Sequence, residues 1–212
     1  EIIVCSDNFH GRTIAVVGFS TVDKYKKGFG PFPGGFTVVP FGDASALEEA
    51  INDRTVGFLV EPIQGEGGIN VPPDGYLTEA RKICTDHGIA MICDEIQTGL
   101  GRTGALFAED HENVKADVLV IGKSLGGGYC PVSAVLARGD ILDVFAPGEH
   151  GSTFGGNPLA CAVGQTALDV LVKEKLAENA ATMGAFFRKG ISELDSDRIS
   201  RIKGKGLMIG IE

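Results

Sequence analysis

A lysine that follows a buried apolar run and precedes a glycine cluster is uncommon, because lysines are normally solvated. Lys123 is such a residue. It stands after Val118–Ile121 and Gly122, and before Ser124, Leu125 and Gly126-Gly127-Gly128. A lysine held partly away from water loses its proton more readily and can form a Schiff base with an aldehyde. Two other polar stretches also follow apolar runs. Asp94-Glu95-Ile96-Gln97-Thr98-Gly99 comes after Ile89–Cys93, and Glu61-Pro62-Ile63-Gln64-Gly65-Glu66-Gly67-Gly68 comes after Gly57–Val60. A carboxylate such as Asp94, set against a ring nitrogen, keeps that nitrogen protonated and makes the ring an electron sink. Gln97, three residues on, offers an amide to a ring oxygen. Backbone amides near glycines and helix starts suit a phosphate. Taken singly, each residue has a plainer reading. Lys123 reads equally as a strand-end lysine with its head in water, and Asp94 as a helix cap.

The elements that must position these residues are read from hydrophobic pattern. Ile2–Cys5, Ile14–Gly18, Phe36–Pro40, Gly57–Val60, Ile89–Cys93, Val118–Ile121 and Val132–Ala137 read as strands. Most are continuous apolar runs, which suits strands covered on both faces of a mainly parallel sheet. Helices fall between them. Asp43 caps one with Leu47, Ala50 and Ile51 inward. Asp74 caps the next, with Leu77, Ala80 and Ile83 inward and Gly88 as its stop. Asn157-Pro158 is a strong start, after which Leu159, Val163, Ala167, Val170 and Leu171 recur at helical spacing and are expected to face a core. A further helix is expected from Leu176 to Leu194. The alternation predicts an α/β fold, a mainly parallel sheet flanked by helices. In such sheets ligands sit beyond the carboxyl ends of the strands, so the three polar strand ends are expected to share one crevice.

Bulk properties narrow the classes. The 212 residues are 43% hydrophobic and 22% charged, with 19 Lys+Arg against 28 Asp+Glu and a net charge of −9. An acidic surface argues against nucleic acid and anionic membranes as partners. No apolar run approaches the roughly 20 residues that span a bilayer. The 31 glycines occur in short clusters beside apolar runs, as in site loops. Cys5, Cys84, Cys93, Cys130 and Cys161 lack metal-type spacing and read as buried thiols of a reducing compartment. Neither they nor the scattered histidines suggest a metal. The cytoplasm is the expected location, with the mitochondrial matrix as the alternative. Both ends read as cut within apolar runs, so a fragment is expected.

The stretches NFHGRT (8–13), EPIQGEGG (61–68), DEIQTGLGRTG (94–104), GKSLGGGYCPVSAVLA (122–137) and PGEHGSTFGGNPLA (147–160) resemble class III, fold type I, pyridoxal-phosphate-dependent aminotransferases. The resemblance covers nearly the whole chain in order and spacing. Within the family, the last two stretches are most similar to the ornithine branch, with the acetylornithine branch as runner-up. The resemblance implies pyridoxal 5'-phosphate as cofactor. Lys123 would bind it covalently and shuttle the proton. Asp94 would face the pyridine nitrogen and Gln97 the ring hydroxyl, with Glu95 and Ile96 in the same cofactor loop. Phe9 would stack on the ring, where alone it would read as core. Arg12 would clamp the substrate α-carboxylate, where alone it would read as a surface charge. Thr153, with Ser152, would reach the phosphate and substrate of a neighbouring subunit, which implies a homodimer with shared sites. Glu66 would pair with an arginine supplied by the C-terminal domain, and Glu61 is read as structural. Residues 1–172 would belong to the large cofactor-binding domain and 173–212 to the start of the small one. The family's phosphate loop, N-terminal gating segment and remaining small domain are expected outside these 212 residues.

The expected reaction moves an ω-amino group from ornithine to 2-oxoglutarate, giving glutamate 5-semialdehyde and glutamate. The partners are therefore a small amino donor and a 2-oxo acid. Two rivals belong to other classes. Gly99-Leu100-Gly101-Arg102-Thr103-Gly104 spells a dinucleotide-binding fingerprint, but five residues separate it from Cys93 and Asp117 comes too early for a ribose contact. An inactive aminotransferase-like module is the other. The joint presence of Lys123, Asp94, Gln97 and Arg12 speaks against it.

Overall fold

The computed structural model describes residues 1–194 and 196–212. Strands β1 (Ile2–Cys5), β2 (Phe36–Val39), β3 (Gly57–Val60), β4 (Ala90–Asp94), β5 (Val118–Ile121) and β6 (Ala134–Ala137) form one sheet in the order β2-β1-β3-β4-β5-β6. The first five run parallel, with Asp94 opposite Val120 in the β4–β5 register. β6 runs antiparallel to β5. Only twelve residues, none in an α-helix, join β5 to β6, and a parallel return needs a longer crossover.

The helices are α1 (Ile14–Gly18), α2 (Asp23–Lys26), α3 (Ala44–Ala50), α4 (Tyr76–Asp86), α5 (Gly139–Leu142), α6 (Pro158–Lys173) and α7 (Leu176–Ser192). Asp43 caps α3 by accepting the Ala46 N–H at 2.9 Å, and Asn157 caps α6 by accepting the Ala160 N–H at 2.9 Å. The helix after Asp74 differs from expectation: its N-cap is Gly75, in the left-handed conformation at φ +86°. Glycine adopts that backbone without the Cβ clash an aspartate would meet. Gly88 does end that helix, also left-handed at φ +67°.

Ile14–Gly18 is a helix, not a strand. A five-residue apolar run carries no decisive period. Here it follows the extended Thr13 and buries Val17 alone. The stripe expected on α6 is also corrected. Leu171 is buried, but Leu159 and Val170 are exposed, and the residues turned inward are Ala160, Gly164 and Leu171. Gly164 lies against Leu125, so that small face lets α6 approach the turn that carries Lys123.

The main core lies between the central strands and α3/α4. Ile3, Leu47, Phe58, Val60, Ala80 and Met91 have no solvent exposure. Burying side chains of the Leu, Ile and Phe kind stabilises by roughly 1.5–3 kcal/mol each. A smaller cluster of Leu100, Ile121, Leu125 and Leu171 ties β5 to α6. β1 and β3 are buried along most of their length, whereas β2, β5 and β6 are only partly covered. Cys5, Cys84 and Cys93 are buried as expected, but Cys130 is half-buried and Cys161 exposed.

The glycines of the 99–104 stretch serve packing. A Cβ on Gly101 would sit 2.8 Å from the Leu171 side chain, and one on Gly104 would sit 3.0 Å from Ala181. Both helices α6 and α7 therefore press directly on this loop. The hairpin of β7 (Ile202–Lys205) and β8 (Met208–Ile211) seats its turn there too, with Leu207 N–H donating to Arg102 O at 3.1 Å. The dinucleotide-binding reading of these glycines has no strand-to-helix turn to support it. No helix among the described residues is long and apolar enough to cross a membrane.

Candidate active site

The carboxyl ends of β3, β4 and β5 do bring the polar stretches to one edge. β5 ends at Ile121, Gly122 follows in extended backbone, and Lys123 opens a short 3-10 turn. Lys123 has φ +41°, a left-handed conformation that costs a non-glycine residue about 1–3 kcal/mol and tends to persist at functional sites. A cleft of about 320 Å³ lies here, lined by Lys123, Gln97, Ile96, Ser124 and Arg102. Ile69 and the hairpin residues Leu207, Met208 and Ile209 line it too. Lys123 and Gln97 are thus brought together. The expected enclosure of the lysine is not supplied by these residues, because Lys123 is exposed.

Asp94 closes β4 and is buried, with 7% of its surface exposed. Its Oδ1 accepts the Ile96 N–H at 3.1 Å, and its Oδ2 lies 2.7 Å from Nδ1 of His10. An ionised carboxylate accepts in both contacts and keeps further lone-pair positions on each oxygen. The His10 side chain is itself buried, and its Nε2 has no partner among the described residues. Glu95 departs from the cofactor-contact expectation. Its carboxylate turns inward, accepting the Thr98 hydroxyl and, at 2.9 Å, the Glu109 N–H. It therefore shapes the loop that presents Asp94 and Gln97.

Glu61, read as structural from sequence, holds two parts of the site together. Oε2 accepts the Phe9 N–H at 2.9 Å and Oε1 the Gly65 N–H at 3.4 Å. The Gln97 side chain lies directly over Gly65, where a Cβ would come within 2.6 Å of its Nε2. Burial pushes the Glu61 carboxyl up to about 7, against the opposing pull of the Phe9 N–H, His10 and the Gly65 N–H, with Asp94 adding to the rise. A carboxyl whose folded pKa is raised stabilises most below its unfolded value, and that stability is lost as pH climbs through the folded value. We therefore expect stability to fall between about pH 4.5 and 7 by up to about 3 kcal/mol from this group. Glu61→Gln should flatten that slope in urea titrations run across the range. An unchanged slope would refute the assignment.

Phe9 is half-buried and meets Tyr25 edge to face, and Arg12 lies over both rings. Glu66 is exposed on the turn after Gly65. Ser152 and Thr153 are exposed too; Ser152 Oγ accepts the Gly155 N–H at 2.9 Å, and neither residue lines the cleft. His10 and Tyr25 were not singled out by sequence reasoning. His10 offered one signal, a titratable side chain next to Phe9 inside a quoted motif. Tyr25 offered none.

A mostly parallel sheet flanked by helices, with a lysine and a glutamine sharing a cleft at its strand ends, is the fold of pyridoxal-phosphate-dependent aminotransferases. The chain belongs to the class-III aminotransferase family, whose model matches residues 1–212. The ornithine aminotransferase of Bordetella pertussis is 56% identical over all 212 residues, which are 51% of its length. The crystal structure of the ornithine aminotransferase from Toxoplasma gondii superposes with a TM-score of 0.98 at 49% identity, covering the whole of this chain and 51% of that one. An acetylornithine aminotransferase from Elizabethkingia anophelis gives a TM-score of 0.86 at 50% identity, with 100% and 52% covered. The chain thus spans about half the length of the curated relatives it matches.

Class III aminotransferases use pyridoxal phosphate. The donor set fits that group. An amine and an amide share one cleft, and the adjoining buried carboxylate retains free lone pairs. These match an aldehyde, a ring hydroxyl and a pyridine nitrogen in turn.

Proposed function

We propose that the protein to which this chain belongs transfers the δ-amino group of ornithine to 2-oxoglutarate, giving glutamate 5-semialdehyde and glutamate. The observation that carries this reading is the 56% identity, across the whole chain, to a protein named ornithine aminotransferase. The cofactor, when bound, would supply a carrier for the amino group and an electron sink for the donor's reacting carbon.

The chain's own residues divide the remaining work. Lys123 Nζ would hold the cofactor and, once the donor's amine has displaced it, is the free amine that carries the proton removed from the donor's ω-carbon. Asp94, steadied by His10 and the Ile96 N–H, holds a proton on the pyridine nitrogen. The Gln97 amide, kept in place over Gly65, binds the ring hydroxyl. Phe9 covers the ring, its backbone pinned by Glu61. Arg12 binds the α-carboxylate by a two-point contact. Glu66 pairs with an arginine from outside these residues, so that one site accepts an ω-amino end and then an α-carboxylate.

Ser152 and Thr153, exposed and away from the cleft, serve the site of a second copy, which makes a homodimer part of the proposal. The boundary between large and small domains at 172/173 is part of it as well.

The acetylornithine reading is favoured by one observation, the 50% identity to a protein of that name. A single assay separates the two. The full-length, cofactor-loaded enzyme is given 2-oxoglutarate with ornithine or with acetylornithine, and pyrroline and glutamate are measured. Pyrroline from ornithine is expected. Turnover of acetylornithine alone would overturn the ornithine assignment and keep the class.

A further inference from the structure

The geometry around Arg12 reaches beyond the roles assigned above. Its guanidinium carbon lies 3.8 Å from the centroid of the Tyr25 ring and 5.1 Å from that of Phe9. The two rings are 6.0 Å apart with their planes at 77°, so they make a corner, not a stack. Each wall of that corner is anchored. Phe9 is held by Glu61 through its backbone N–H, and Tyr25 sits in α2, where its own N–H donates to Val22 O. Among the described residues no carboxylate lies within ion-pair distance of Arg12; Asp23, in α2, lies 3.9 Å from Lys26.

A guanidinium whose carbon packs against a ring keeps the N–H groups turned away from that ring free. Those groups are the part that pairs two-point with a carboxylate. A loose arginine would have to freeze several torsions on binding. One already laid against an aromatic wall loses less freedom, so the contact is stronger. The Lys24 ammonium, 5.3 Å from the same ring centroid, adds positive charge on that side.

We propose that Tyr25 is a specificity-determining positioning residue. It holds the Arg12 guanidinium against its ring so that the N–H groups turned away from the ring select donors carrying an α-carboxylate over plain diamines. This inference rests on the reading of Arg12 as the carboxylate clamp.

The test uses the full-length, cofactor-loaded enzyme and two readouts. The first is the ratio of kcat/KM for ornithine to that for 1,4-diaminobutane, which has the same chain without the carboxylate. The second needs no turnover: calorimetric titration with pentanoate, which has the carboxylate and no amine. Tyr25→Leu should lower the ratio and weaken pentanoate by about 3–10-fold. Tyr25→Phe, which keeps the ring, should bring both within about twofold of wild type. If Tyr25→Leu fails to fold, Tyr25→Met makes the same comparison.

An unchanged ratio and Kd in the leucine variant would overturn the proposal. So would a parallel loss on both donors, since that is what a merely structural tyrosine gives. Arg12→Ala separates the two levels. If it leaves the ratio intact, the clamp reading itself fails. If it collapses the ratio while Tyr25→Leu does not, only the role of Tyr25 falls.

Discussion

Replacing Lys123 with alanine should abolish covalent attachment of the cofactor and cut turnover by on the order of 10³-fold or more. The size follows from the removal of two jobs at once. Among the described residues Nζ is the one amine lining the cleft that Gln97 also lines, and no histidine or carboxylate stands among those lining residues to take over proton transfer. Borohydride reduction followed by mass measurement is the check. The wild-type full-length enzyme should gain the mass of the reduced cofactor, and Lys123→Ala should not. An adduct surviving in the variant would show that another lysine carries the chemistry. The variant should fold, because Lys123 is exposed and its φ of +41° is a strain that alanine does not increase.

Much of this site was legible because strand ends are local features. Val118–Ile121 and its glycine-flanked lysine, or Ala90–Asp94 and the loop after it, occupy a dozen residues each, and one apolar run fixes where the polar group emerges. Caps were legible for the same reason. Asp43 and Asn157 each bond an amide three residues on. What sequence could not give was partnership at a distance. His10 meets Asp94 across 84 positions, and Glu61 meets Phe9 across 52. Nothing in a single chain's spacing encodes those meetings; the parallel order β1-β3-β4 creates them by setting three strand ends side by side.

The misses have physical reasons as well. Ile14–Gly18 was too short to show a period. Glu95 sat between two expected ligands and was grouped with them. Adjacent side chains point in different directions, and its carboxylate turns into the interior, where backbone amides satisfy it.

Asp94→Asn should lower kcat by on the order of 10²–10³-fold, the loss typical of one preorganised electrostatic contact in an active site. The substitution keeps shape and volume; the one remaining oxygen can keep the Ile96 N–H contact, and the amide NH2 then faces His10 Nδ1, which can accept from it in the other tautomer. What changes is charge. A neutral amide does not hold a proton on a facing pyridine nitrogen, and the ring then draws electrons from the reacting carbon less strongly. Because Asp94 is only 7% exposed, water does not replace the missing charge. Cofactor affinity, followed by equilibrium dialysis, should weaken in step with the rate. An asparagine variant that turned over as fast as the wild type would mean that Asp94 faces His10 alone and not the ring. The buried pair would then be a structural tie between β4 and the segment after β1, and the electron-sink role would need another residue.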